Sequence, residues 1–275
     1  MKVIIGIDIG GSTTKIVGFS PDGRLCGKLK VQASDQTTCM YGALGHFLNA
    51  ENLRLEDISK IILTGVGASF ITEDIYGIPT FKAAEFEAIG RGGLKLAGLK
   101  SALVVSMGTG TAFIRAEDGK AEHLGGSGVG GGTLVGLATL LLQERDISLV
   151  SKMAKGGDAG NLDLLIRDIF CGSVSSLPPE LTAANFGSIK SGASDSDTAA
   201  ALFNLVFQTI GMLSVFACRG TSNKDIVLVG SLAGLPQAAE IFSLMSRLYE
   251  VNFILPKDAV FATAIGAVIP YLSPE

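Results

Sequence analysis

Val3-Ile-Ile-Gly-Ile-Asp8-Ile-Gly-Gly-Ser-Thr-Thr-Lys15-Ile-Val-Gly-Phe19 opens the chain and governs how the rest is read. Val3–Asp8 is an apolar β run, Gly10-Gly11-Ser12 supplies turn residues, and Thr14–Phe19 forms a second β run. Pro21-Asp22-Gly23 predicts another turn into a third strand, Leu25–Val31. A dinucleotide-binding unit would pass from its first strand into a helix. This chain instead predicts three antiparallel strands in succession, with glycines at the first corner.

The pattern restarts about 100 residues later. Ala102–Met107 predicts a strand, Gly108-Thr-Gly-Thr111 a turn, and Ala112–Glu117 a strand, with Asp118-Gly119 as the next hairpin turn. Such self-similarity marks an internal repeat. Between the two copies lie helical spacing over Thr38–Asn49, a buried strand Ile61–Thr64 ending at Gly65, and a helix over Ala83–Ala97. After the second copy, Gly125–Gly132 leads into a helix over Thr133–Gln143. A mixed helical region follows to Gly220, then a strand Ile226–Val229, a turn at Gly230-Ser231, a helix from Pro236 and a last helix over Ala259–Tyr271. The expected organisation is two α/β halves, 1–99 and 100–275, closing on a cleft.

Composition narrows the function. The 275 residues are 47% hydrophobic and 17% charged, a globular balance. The 36 glycines are nearly twice the usual ~7% and gather in short loops. A net charge of −4 with scattered Lys and Arg argues against nucleic acid as a partner. Cys26, Cys39, Cys171 and Cys218 share no CxxC spacing, which fits free thiols in a reducing cytoplasm. The N-terminus does not read as a signal peptide. The apolar stretch Ala199–Cys218 approaches the ~20 residues of a membrane span. Asn204, Gln208, Thr209 and Ser214 within it favour a buried helix, so no membrane partner is expected.

The chemistry concentrates in glycine turns. In Asp8–Lys15, Gly10 and Gly11 let backbone N–H groups approach phosphate oxygens. Ser12, Thr13 and Thr14 add hydroxyls, and Lys15 a point charge for a β- or γ-phosphate. Asp8, at a buried strand end, suits Mg²⁺ held through water. Gly108-Thr109-Gly110-Thr111 occupies the matching place in the second half, so the two turns can grip a triphosphate from both sides. Gly125–Thr133 carries six glycines into a helix start, an anion-binding arrangement. Ser231 follows a buried strand where an adenine or ribose can lie.

Read in order, Asp8-x-Gly-Gly-Ser, Gly-Thr-Gly-Thr, the glycine-rich helix start and strand-Gly230-Ser231 resemble the acetate and sugar kinase/Hsp70/actin superfamily. Ala84-Glu85-Phe86-Glu87-Ala88, Leu181-Thr-Ala-Ala-Asn-Phe-Gly187 and Ala264-Ile-Gly-Ala267 make the chain similar to the type II pantothenate kinases. The resemblance implies two actin-like (ribonuclease H-like) ATPase domains, an ATP- and Mg²⁺-dependent kinase of the primary hydroxyl of pantothenate, a cytoplasmic location and a homodimer through the Thr198–Cys218 helix. It implies Glu85 as catalytic base, Thr109 near phosphate and acceptor, and ATP contacts at Asp8–Lys15, Gly131, Gly132, Thr133 and Ser231. Where the family carries an arginine for the acceptor, this chain has His123, a poorer anion clamp than a guanidinium. Arg115, on the neighbouring strand, is the candidate to compensate. A kinase of another small alcohol such as an N-acetylhexosamine, an ATP-driven dehydratase activator and a non-catalytic nucleotide sensor are the alternatives on the same fold.

Overall fold

A computed structural model describes residues 2–32, 35–170 and 178–273. Each half is built on a five-stranded mixed sheet. In the first, β1 (Val3–Ile9), β2 (Thr13–Phe19) and β3 (Leu25–Gln32) form the antiparallel meander expected from the opening sequence. Helix α1 (Gln36–Ala50) then leads to β4 (Ile58–Thr64), which pairs parallel to β1, and β5 (Thr80–Lys82) closes the edge. After α2 (Glu85–Ala97), the second half repeats the plan with β6 (Ser101–Met107), β7 (Thr111–Glu117) and β8 (Lys120–Ser127).

Next come α3 (Gly131–Leu142) and α4 (Ile147–Ala154), then β9 (Leu164–Leu165), α5 (Ile166–Ile169) and β10 (Thr182–Ala184). The long α6 (Asp195–Cys218), β11 (Asp225–Val229), α7 (Pro236–Tyr249), β12 (Asn252–Ile254) and α8 (Ala262–Val268) complete the chain. The sheet orders are β3-β2-β1-β4-β5 and β8-β7-β6-β11-β12. The repeat read from the glycine hairpins is therefore a repeat of topology.

Two details differ from the sequence expectation. The run Gly125–Gly132 is divided, because Gly125–Ser127 still pairs with Thr111–Phe113 as the end of β8 and the helix begins at Gly131. The expected last helix Ala259–Tyr271 is an α-helical turn pair, Ala262–Val268, between two 3₁₀ turns.

Strand alternation sorts the side chains. On β1, Val3, Ile5, Ile7 and Ile9 face α1, where Leu44 and Phe47 cover them. Ile4, with Val17 and Ile62, faces α8 and α2 instead. Helix α2 follows the first sheet in sequence, yet Ile89 and Leu94 also pack on β6, β7 and β11 of the second. Helix α8 ends the second half, yet Ala264 and Val268 pack on the first sheet. The two helices cross with backbones in contact. A Cβ on Gly92 would stand 1.9 Å from the Ala262 carbonyl oxygen, and one on Gly266 1.8 Å from that of Ala88. Helical glycine costs about 1 kcal/mol relative to alanine, which the close packing of this crossing offsets.

Among the described residues, α6 is the one helix long and apolar enough to cross a membrane. Its Leu202, Phe203, Phe207 and Ile210 lie in the core of the second half, as expected for a buried helix. The string Leu181–Gly187 is tied to it through the buried carboxylate of Asp163. Asp163 accepts from Asn204 Nδ2 at 2.7 Å and from the Phe186 N–H at 2.8 Å. Cys26, Cys39 and Cys218 are free thiols, and Cys171 lies outside the described residues.

Candidate active site

The site forms where β1 and β6 end against each other. Parallel and antiparallel register place Thr64, Asp8, Lys15 and Lys30 side by side on β4, β1, β2 and β3. All four lie on the face turned towards α2 and α8, as alternation from Ile62, Ile4 and Val17 requires. Lys15 Nζ donates to Asp8 Oδ2 at 3.1 Å, with both side chains 9% exposed. Removing either partner leaves a buried lone charge, at a cost of about 3–5 kcal/mol. Thr14 is one residue out of phase and pairs with Ile9, so its side chain lies on the α1 side and not in the site.

The turn between β1 and β2 is closed by the Gly10 N–H donating to the Thr13 carbonyl at 3.0 Å. Its tip meets the turn between β6 and β7 directly, because Ser12 Oγ and Thr109 Oγ1 share a hydrogen bond of 2.8 Å. The two glycine turns expected to face one another thus touch across the cleft.

The helix start behind them works differently from the sequence expectation. The N–H groups of Gly131 and Gly132 donate to the carbonyls of Gly108 and Thr109, each at 2.8 Å. The Thr133 hydroxyl donates to the Gly128 carbonyl at 2.8 Å and accepts from the Gly130 N–H. The Gly131 and Gly132 amides are thus engaged in holding the second turn, and the Thr133 hydroxyl in closing the loop before the helix. Ser231 opens the 3₁₀ turn after β11, and Gly230 before it has φ +92° and packs on the Met107 backbone. Ser231 therefore lies beside the second turn.

Glu85 is the first residue of α2 and is half-buried. Burial first, and then the Asp8 carboxylate, push its pKa above the ordinary carboxylate value, with Lys15 opposing. Glu85 therefore lies within the electrostatic reach of the Asp8–Lys15 pair. Glu87 turns away and pairs with Arg91 at 3.0 Å. Phe86, between them, stacks on His123 with ring centroids 4.0 Å apart and planes at 5°. The tertiary structure thus brings His123 from β8 to the residue adjoining Glu85.

Arg115 goes to the other side. On β7, Ile114 and Ala116 face α2, whereas Arg115 is paired with Glu122 at 2.8 Å. It lines a crevice with Leu103, Glu117, Cys218 and Asn223 beneath the C-terminal end of α6. The expected compensation of His123 by Arg115 is therefore corrected, since alternation along β7 turns the guanidinium away from Glu85. Arg115→Ala leaves the acceptor KM within about twofold of wild type in steady-state kinetics, as expected of a surface substitution remote from the site.

Two groups at the site escaped sequence reasoning. Thr64 is fully buried opposite Asp8, and its hydroxyl has no hydrogen-bond partner. Gly65, with φ +85°, lies so near Asp8 that a Cβ would stand 2.6 Å from Oδ1. A Thr-Gly pair ending a buried strand was the available signal. The Asp8 carboxylate, with Oδ2 bonded to Lys15 and the orphaned Thr64 hydroxyl opposite, is the oxygen group here that suits a Mg²⁺ held through water.

Two sheets of repeated topology, two glycine turns in contact and a half-buried carboxylate in the field of an Asp–Lys pair are the features of a phosphotransferase of the actin-like ATPase class. Solved structures agree on the fold. The activator of 2-hydroxyisocaproyl-CoA dehydratase from Clostridium difficile with bound ADPNP aligns with TM-score 0.67 at 17% identity, over 98% of this chain and 94% of that one. The (R)-2-hydroxyglutaryl-CoA dehydratase component A from Acidaminococcus fermentans gives 0.68 at 17%, over 98% of both. ROK hexokinase from Thermus thermophilus gives 0.51 at 15%, over 97% of both. In sequence, type II pantothenate kinase of Staphylococcus aureus (strain USA300) is 30% identical over 96% of this chain and 97% of its own length. The Fumble family model matches residues 98–269. The chain belongs to the Fumble family, the type II pantothenate kinases.

Proposed function

We propose that this protein transfers the γ-phosphoryl group of ATP to the primary hydroxyl of pantothenate, the first step towards coenzyme A. The observation that supports the proposal is the half-buried Glu85 feeling the charges of the Asp8–Lys15 pair, with the two glycine turns joined at Ser12 and Thr109, in a chain of this family. Phosphoryl transfer asks the protein for positioning and charge stabilisation more than for covalent chemistry. Glu85 accepts the hydroxyl proton as the new O–P bond forms and the bond to the departing ADP breaks. The turns at Gly10–Thr13 and Gly108–Thr111 and the Lys15 ammonium hold the phosphates, with Ser231 on the nucleoside side. Bound Mg²⁺ would neutralise phosphate charge, and Asp8 would hold it through water with Thr64 alongside.

The halves 1–99 and 100–275 are proposed as the two lobes of the clamshell, exchanging α2 and α8 across their junction. Closure of such lobes excludes competing water. His123 and Phe86 form the acceptor wall beside Glu85. We place the protein in the cytoplasm as a homodimer, with Leu213 and Phe216, left exposed on α6, among the contacting residues.

The test is ADP release with MgATP over pantothenate, pantetheine and a panel of amino sugars. Pantothenate-dependent turnover is expected. Turnover on a sugar with none on pantothenate would replace the acceptor and leave the fold standing.

A further inference from the structure

Lys30 has no role in the site as described, yet its position is unusual. It lies directly opposite Lys15 across β2 and β3, on the same face of the sheet. Like charges in directly opposed strand positions are destabilising, and the arrangement calls for a compensating anion. Lys15 has one in Asp8. Lys28, two residues before Lys30 on the same face, is paired with Asp258 and lies over the Phe261 ring. Among the described residues Lys30 has no ion pair or side-chain hydrogen bond.

We infer that Lys30 is a second cation for the phosphate chain of the nucleotide, working beside Lys15. A polyphosphate laid along the cleft end of the sheet has oxygens to share between two ammonium groups, and one bound anion removes the Lys15–Lys30 repulsion. Although Lys30 keeps contact with solvent, protein atoms around its ammonium and, second, Lys15 lower its pKa, the electrostatic sign of a cation lacking its counter-charge. The inference rests on the kinase reading and adds a phosphate-binding residue to it.

Calorimetric titration of wild type, Lys30→Ala and Lys30→Arg with MgATP and MgADP tests it, without any acceptor. Lys30→Ala is expected to weaken both nucleotides about tenfold to a hundredfold, the loss of one charge-assisted hydrogen bond. Lys30→Arg is expected to keep most of the affinity, and neither variant to melt below wild type, since the residue is solvent-exposed on the edge strand β3 and its removal relieves the repulsion with Lys15. Wild-type nucleotide affinity in Lys30→Ala would overturn the inference. So would an effect confined to the acceptor, seen as a raised KM for pantothenate with ATP affinity intact. Absence of ATP binding by the wild-type protein would instead remove the kinase reading itself, and the inference with it.

Discussion

Glu85→Gln lowers kcat by about 10²–10⁴-fold, the usual contribution of a positioned general base, while the KM for ATP changes little. Glutamine keeps the shape and the place at the head of α2 but cannot accept the acceptor's proton. The loss should fall on kcat because Glu85 meets the nucleotide only through the transfer step. The pH profile supplies a second signature. The base works as a carboxylate, so activity falls as pH drops through the Glu85 pKa. Burial and Asp8 raise that pKa, so the acid limb of kcat/KM for the wild type lies above the ~4.3 of an ordinary glutamate. The residual activity of Glu85→Gln should lack this limb. Rate measurements across pH with saturating MgATP check both outcomes. Unchanged turnover in Glu85→Gln would overturn the mechanism and favour a nucleotide sensor on the same fold.

Gly266→Val is expected to be the most damaging substitution for stability, at about 3 kcal/mol or more. Overpacking a well-filled core commonly costs 1–3 kcal/mol, with larger values when the backbone must move. Here the backbone must move, because even a single Cβ at 266 would stand 1.8 Å from the Ala88 carbonyl oxygen and 2.6 Å from the Gly92 nitrogen. Valine would push α8 off α2, and α2 carries Glu85 at its first turn. Thermal melting and urea titration should show the loss directly. Where folded protein is recovered, kcat should fall as well, because the Glu85 carboxylate shifts relative to Asp8 and Lys15. A control at Gly136, where an added Cβ meets nothing within 4 Å, should tolerate alanine. A Gly266→Val protein as stable as wild type would show that the helix crossing is not a tight junction.

The local half of the design was written in the sequence. Alternating and continuous apolar runs specified β1, β2, β6 and β7, because a buried strand must be apolar whatever surrounds it. Turn residues at Gly10–Ser12 and Gly108–Gly110 marked their corners, because glycine and serine are favoured where a strand reverses. The chemistry of Asp8–Lys15 could be stated from its residue types, and Glu85 was found through the resemblance carried by Ala84–Ala88. Tertiary structure decided the rest. Nothing local says that α2 packs on the second sheet or that α8 returns to the first, because each helix presents apolar surface that either sheet could cover. The close glycine contacts settle that choice, Gly92 and Gly266 where the helices cross and Gly90 and Gly93 where α2 meets the second sheet. The opposite facing of His123 and Arg115 depends on the β7–β8 register, where a slip of one residue would turn His123 to the Arg115 side. The helix-start amides of Gly131 and Gly132 look like an anion site in sequence, and become the support of the second turn only because Gly108 and Thr109 come within hydrogen-bonding distance of them. Lys15 and Lys30 stand fifteen residues apart in the chain, and only strand pairing makes them neighbours.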